Sequence, residues 1–168
     1  MVNTNTISID EVKRVLSKVM DPEVPVLSIL DLGIVRDIQI EPLIITITPT
    51  YSGCPAMDVI RMNTRIAIIE GLGLQPNEFE IKTVLSPAWT TDWMTEEGKQ
   101  KLKAYGIAPP NHSASVCTPD LFAEEEAVQC PRCNAFHTVM ISRFGSTACK
   151  ALYRCEDCRE PFDHFKCH

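Results

Sequence analysis

Eight cysteines are spread so unevenly along this 168-residue chain that they divide it before any other feature is considered. Cys54 stands alone in the first 116 residues, and the other seven fall between Cys117 and Cys167. Within that tail, Cys130-Pro-Arg-Cys133 and Cys155-Glu-Asp-Cys158 form two C-x-x-C pairs separated by 21 residues. A tetrahedral metal needs four soft donors from two turns brought face to face, and paired C-x-x-C turns supply them. The separation is slightly longer than usual but within reach of intervening strands. Residues 136–144 and 151–154 can form that strand pair, with Gly145-Ser146 as the turn. Asn134, directly after the first pair, tolerates left-handed backbone, which would aim N–H groups at the sulfurs. A module of about 40 residues buries too little core to stand without a metal or a cross-link.

The residues leave the metal open. Structural Zn²⁺ on Cys130, Cys133, Cys155 and Cys158 is the leading expectation. The alternatives are redox thiols and a four-cysteine iron–sulfur cluster, although ferredoxin-type cysteine runs are absent. Cys149, Cys167, His164 and His168 are extra potential donors, Cys117, Cys149 and Cys167 have no assigned role, and His137 reads as a surface or packing residue. The start, Met1-Val-Asn-Thr-Asn-Thr, has no basic stretch leading into an apolar run, and no apolar run approaches bilayer length. A cytoplasmic location is therefore expected, where clustered cysteines bind metal or react rather than form disulfides. Residues 1–128 carry ten basic against eighteen acidic side chains, and residues 129–168 six against four. So acidic a body argues against nucleic-acid binding, and nothing points to a membrane.

The first part of the chain reads as an alternation of helix and strand. Ser8-Ile-Asp-Glu11 has the capping-box form, and Ile9, Val12, Val15, Leu16 and Val19 follow at helical spacing as far as Met20. Asp21-Pro-Glu-Val-Pro25 stops that helix. Residues 34–40 and 43–48 are β-branched runs joined by Glu41-Pro42, hence a hairpin. A helix over 55–70, closed by Gly71 and Gly73, a strand over 79–85 and a helix from Thr95 to Tyr105 complete the order α-β-β-α-β-α. The expected class is α+β: a small two-layer α/β sandwich followed by a metal-bound ribbon of short strands. The expected division is 1–107, a linker over 108–128, and the ribbon over 129–168. Of Trp89 and Trp93, one is expected buried and one partly exposed.

Cys54 sits between the second strand and the second helix, in Thr48-Pro-Thr-Tyr-Ser-Gly-Cys-Pro-Ala-Met-Asp58. Beside a helix N-terminus, unpaired N–H groups and the helix dipole favour a thiolate. Three readings follow: a nucleophile, a metal or cluster ligand, or a small buried hydrophobe. A nucleophile normally needs a base, yet all four histidines lie beyond residue 110. None of them has Glu three residues before it, so the Glu-x-x-His pairs of a ferritin-like di-iron site are missing.

Asp21-Pro-Glu-Val-Pro, Ser28-Ile-Leu-Asp-Leu-Gly-Ile-Val35 and the Thr48–Asp58 stretch resemble the small domain shared by SufT-like iron–sulfur assembly proteins. With Ser86-Pro-Ala-Trp-Thr-Thr-Asp-Trp93 and the end Glu160-Pro-Phe-Asp-His-Phe-Lys166, the whole chain resembles the PaaD (PaaJ) family of the phenylacetyl-CoA oxygenase, or epoxidase, system. That resemblance implies an accessory role in aerobic phenylacetate breakdown, assisting maturation of metal centres held by other subunits. It implies Cys54 as the reactive or transfer cysteine, a transient holder of iron or an iron–sulfur cluster, with Asp21 and Glu23 as its acidic loop. It implies Cys130, Cys133, Cys155 and Cys158 as ribbon ligands, no catalytic residue, and the oxygenase and reductase subunits as partners. A non-catalytic structural or adaptor subunit is the alternative, and a homodimer stays open.

Overall fold

A computed structural model of the chain describes residues 7–51, 53–110 and 128–166. Cys117, the acidic run at 124–126, Cys167, His168 and most of the expected linker lie outside those residues. The architecture is mixed α+β, and the described residues form three α-helices and two three-stranded sheets in the expected order. Among the described residues no helix is long and apolar enough to cross a membrane.

Helix α1 (Ile9–Leu16) begins at the predicted capping box: the Glu11 N–H donates to Ser8 Oγ at 3.2 Å, and the Ser8 N–H donates back to Glu11 Oε2 at 2.9 Å. It buries Val12, Val15 and Leu16 and ends a turn earlier than expected. Strands β1 (Val35–Ile40) and β2 (Leu43–Ile47) pair antiparallel, and β2 pairs parallel with β3 (Phe79–Thr83). A parallel pair needs a crossover, and α2 (Ala56–Leu72) provides it. Leu43, Ile45 and Ile47 of β2 alternate into the core, joined by Phe79, Ile81, Ile60 and Ile68. Each such side chain contributes roughly 1.5–3 kcal/mol by leaving water.

The two glycines expected to close α2 divide the work. Gly73 takes the left-handed terminal position, with φ of 70°. Gly71 lies inside the helix, where a Cβ would stand 2.6 Å from Val15 Cγ2; it is the notch that lets α1 approach α2. Trp89 is buried, its Nε1–H donating to Leu32 O at 2.8 Å, while Trp93 is half-buried on a separate 3₁₀ turn (Thr91–Trp93).

Backbone contacts divide the chain into Met1–Trp89 and Thr90–His168. The 3₁₀ turn and α3 (Glu96–Tyr105) thus group with the ribbon, whereas the sequence alone places them within 1–107. The reason lies just past α3. Ala108 N–H donates to Asp163 O at 2.8 Å and Ala108 O accepts from Phe165 N–H at 2.9 Å, adding the chain to the ribbon's last strand. That strand, β6 (Pro161–Phe165), extends the expected pair β4 (Thr138–Ser142) and β5 (Lys150–Cys155) into an antiparallel meander. Pro161 is tolerated as the first strand residue. Ala108, Val128, Cys130, Ala151, Tyr153, Cys155 and Phe162 form the core of this unit.

Candidate metal centre and the Cys54 loop

The ribbon's two C-x-x-C turns are built alike. Cys130 N–H donates to Ala135 O at 2.8 Å, and Cys155 N–H donates to Glu160 O at 3.0 Å, five residues on in both cases. The residue after each pair is left-handed: Asn134 at φ 62° and Arg159 at φ 63°. Asn134 is expected there from its residue type. Arg159 is not, because arginine carries no local preference for that geometry and only its position relative to Cys158 announces it.

These turns bring all four Sγ atoms within 4.8 Å of one another. Cys130 Sγ lies 3.8 Å from Cys158 Sγ, and Cys133 Sγ lies 3.5 Å from Cys155 Sγ. A tetrahedral ion with metal–sulfur bonds of about 2.3 Å spaces its sulfurs about 3.8 Å apart. The cluster therefore fits one four-coordinate ion. A cluster of several irons, with its terminal thiolates on different metals, needs a wider spread. Cys130 and Cys155 are buried while Cys133 and Cys158 are exposed.

The thiols influence one another strongly. Backbone N–H groups, Cys158's foremost, bring Cys155 down to about 7 against the effect of burial. The Glu160 N–H pulls Cys158 the same way, but burial and the sulfurs of Cys155, Cys133 and Cys130 push it up to about 12. Cys133 is likewise raised: the Ala135 N–H lowers it, and burial with the Cys155 and Cys130 sulfurs outweighs that. Four sulfurs this close cannot all ionise alone, and a divalent cation removes the conflict.

Neither described histidine of the ribbon joins them. His137 is exposed with Nδ1 3.2 Å from Asp157 Oδ1, and His164 Nδ1 pairs with Ala108 O at 3.2 Å. Cys149 is buried beside Thr147 Oγ1, outside the group of four.

In the first unit, Cys54 is half-buried immediately before Pro55, the N-cap of α2. Its thiol is raised, contrary to the expectation from a helix N-terminus. Burial is the largest cause; the Ala56 N–H and Thr50 hydroxyl act against it, and the charges of Glu23 and Asp21 reinforce it. The acidic loop is thus in the expected neighbourhood, but it repels a thiolate rather than leaving the helix dipole to favour one. Asp21 is buried, with Oδ1 accepting from Glu23 N–H at 2.8 Å and Val24 N–H at 2.7 Å, so it also holds the loop's shape. Cys54, Asp21 and Glu23 do not form a group as tight as the ribbon's among the described residues. Thr48, at the end of β2, buries a hydroxyl without a hydrogen-bond partner among the described residues, which nothing in its sequence context signals.

Residues 9–75 match the iron-sulfur cluster assembly protein family, and residues 114–166 match the PaaD zinc beta ribbon domain. The chain is 49% identical over 162 residues to a subunit of the "Putative 1,2-phenylacetyl-CoA epoxidase" of Escherichia coli (strain K12), covering 95% of this chain and 93% of that one. The chain belongs to the PaaD family. This PaaD-family chain is also 29% identical over 96 residues to the Fe-S protein maturation auxiliary factor of Porphyromonas gingivalis (strain ATCC BAA-308 / W83), covering 55% of this chain and 89% of that one. Among solved structures it is similar to a Bacillus anthracis domain of unknown function, DUF59, with a TM-score of 0.50 and 27% identity. That match covers 55% of this chain and 89% of the other. The PaaD assignment thus joins an iron–sulfur assembly domain to a four-cysteine ribbon in one chain.

Proposed function

We propose that this protein is a non-catalytic accessory factor for iron–sulfur assembly that helps load iron or iron–sulfur centres into the phenylacetyl-CoA epoxidase complex. The observation that carries the reading is the whole-chain similarity to an epoxidase subunit by a chain that contains an iron–sulfur assembly domain. Its partners are then the oxygenase and reductase subunits. Zn²⁺ on Cys130, Cys133, Cys155 and Cys158 has the structural role: the sulfur spacing suits it, and the ion supplies the folding energy a small sheet lacks.

Cys54 is the transfer ligand in this reading, and its chemistry follows from its surroundings. A raised thiol keeps its proton until a cation arrives. The Glu23 and Asp21 charges that oppose a bare thiolate favour a cation beside it. Iron uptake therefore releases a proton, and reprotonation assists release, which suits a carrier better than a permanent site.

The test is the iron content of epoxidase purified from cells whose own accessory protein carries Cys54→Ser. Reduced iron in the epoxidase, with the ribbon's zinc unchanged, is expected. Full iron occupancy would end the transfer role. It would favour the alternative that the half-buried, protonated Cys54 is packing in a structural adaptor subunit.

A further inference from the structure

The ribbon leaves an apolar strip uncovered along one edge of its sheet. The strand order is β4-β5-β6, so among the described residues β4 is an edge, and it contains no charged residue to guard it. Val139 and Ile141 on β4 are exposed, Ile141 by 52%, and the segment just after the strand presents Phe144 at 69% exposure. Phe136, just before the strand, is exposed as well. Val139 and Ile141 stand two residues apart on a strand whose exposure alternates, so both face the same side. The other side carries Met140 and the buried core residues Ala151 and Tyr153. So small a module rarely displays this many exposed aromatic and β-branched side chains along one strand unless something covers them.

The charges at the Phe144 end indicate what covers it. The Lys166 ammonium stands 4.8 Å over the Phe144 ring and donates to Arg143 O, and Arg143 itself is exposed. The carboxylates nearby are already engaged. Asp163 meets Lys150 and Ser146, while Glu156, whose N–H donates to His137 O toward the Phe136 end, takes two of the Arg154 N–H donors. At the Phe136 end, Asp157 is paired with His137. Arg143 therefore faces no carboxylate among the described residues, and this cationic end calls for carboxylates supplied by whatever covers the strip.

We propose that this strip is the docking surface for a segment of the client protein that presents apolar side chains flanked by carboxylates at one end. Val139, Ile141 and Phe144 anchor it, and Arg143 with Lys166 fixes its direction. The inference rests on the reading that the epoxidase is the client, and it adds where on the ribbon that client is held.

The experiment measures binding of the full, zinc-loaded chain to the purified oxygenase subunits of the epoxidase, with zinc per chain measured for every variant. The double variant Ile141→Thr/Phe144→Ser and the single variant Arg143→Glu are each expected to weaken binding about tenfold or more. Met62→Ser, which alters an equally exposed apolar residue on α2, is expected to leave it unchanged. Raising salt should weaken the wild type more than Arg143→Glu. Should the double variant lose zinc, Arg143→Glu decides alone. Wild-type binding by zinc-loaded variants would overturn the strip and leave the client standing. A wild-type dimer split by these same substitutions would overturn it in favour of a second copy. Failure of the wild type to bind the oxygenase would remove the proposed client, and the strip's assignment with it.

Discussion

In the first unit, Ile34, Ile45, Ile47, Ile60 and Ile68 are completely buried. Between residues 128 and 166 only Cys130 and Cys155 reach that depth, and both are sulfur ligands in waiting. Each unit hangs three short strands together, but the first is closed by hydrocarbon and the second by donors that repel one another unless a cation is present. The same contrast governs the two kinds of cysteine. Four ribbon sulfurs are held by matched turns at the spacing of a fixed ion, whereas Cys54 is single, half-buried and protonated. Permanence calls for several converging donors, and exchange calls for few.

The sharpest way to break the comparison is to take the ion away. Chelation, or Cys130→Ser, should unfold the ribbon, because metal binding at such a site is worth on the order of 10 kcal/mol of folding free energy. Limited proteolysis or amide exchange should then show cleavage or loss of protection in residues 128–166 while α1, α2 and β1–β3 stay protected. Equal loss in both units would mean that the first does not stand on its own core.

A smaller effect should separate the units by pH. Burial brings His164 down to about 4, against an ordinary value of 6.5, in spite of its bond to Ala108 O. The unfolded chain then binds this proton more readily than the folded one. The stabilisation is complete above about 6.5 and is lost as pH falls toward 4, by about 3 kcal/mol. Denaturant titrations at several pH values should show that slope for the ribbon and a shallower one for His164→Asn. An unchanged slope in the variant would assign the acid lability to the thiolates alone.

The mildest perturbation falls on the first unit. Gly71→Ala puts a methyl group 2.6 Å from Val15 Cγ2, and overpacking of this kind costs about 1–3 kcal/mol. The thermal midpoint of the first unit should drop while the metal content of the chain stays unchanged. An unaltered midpoint would show that α1 yields there.

Periodicity and local chemistry carry much of this into view before any coordinates. The capping box at Ser8, the hairpin at Glu41-Pro42 and the left-handed Asn134 each depend on residues close together in the chain, so the sequence announces them. The paired C-x-x-C spacing makes the metal group legible for the same reason. Gly71 looks like a terminator because its actual constraint, Val15, is 56 positions away. Arg159 shows only through its place after the second pair, because the turn imposes its geometry on a residue with no preference for it.

What the sequence determined alone was the identity and order of the elements and the set of sulfur donors. Tertiary structure decided the rest, because burial and electrostatics are sums over neighbours distant in the chain. It grouped α3 with the ribbon through Ala108 and β6. It also raised the Cys54 thiol that a helix N-terminus would otherwise have lowered, since desolvation and the charges of Glu23 and Asp21 outweigh the local N–H.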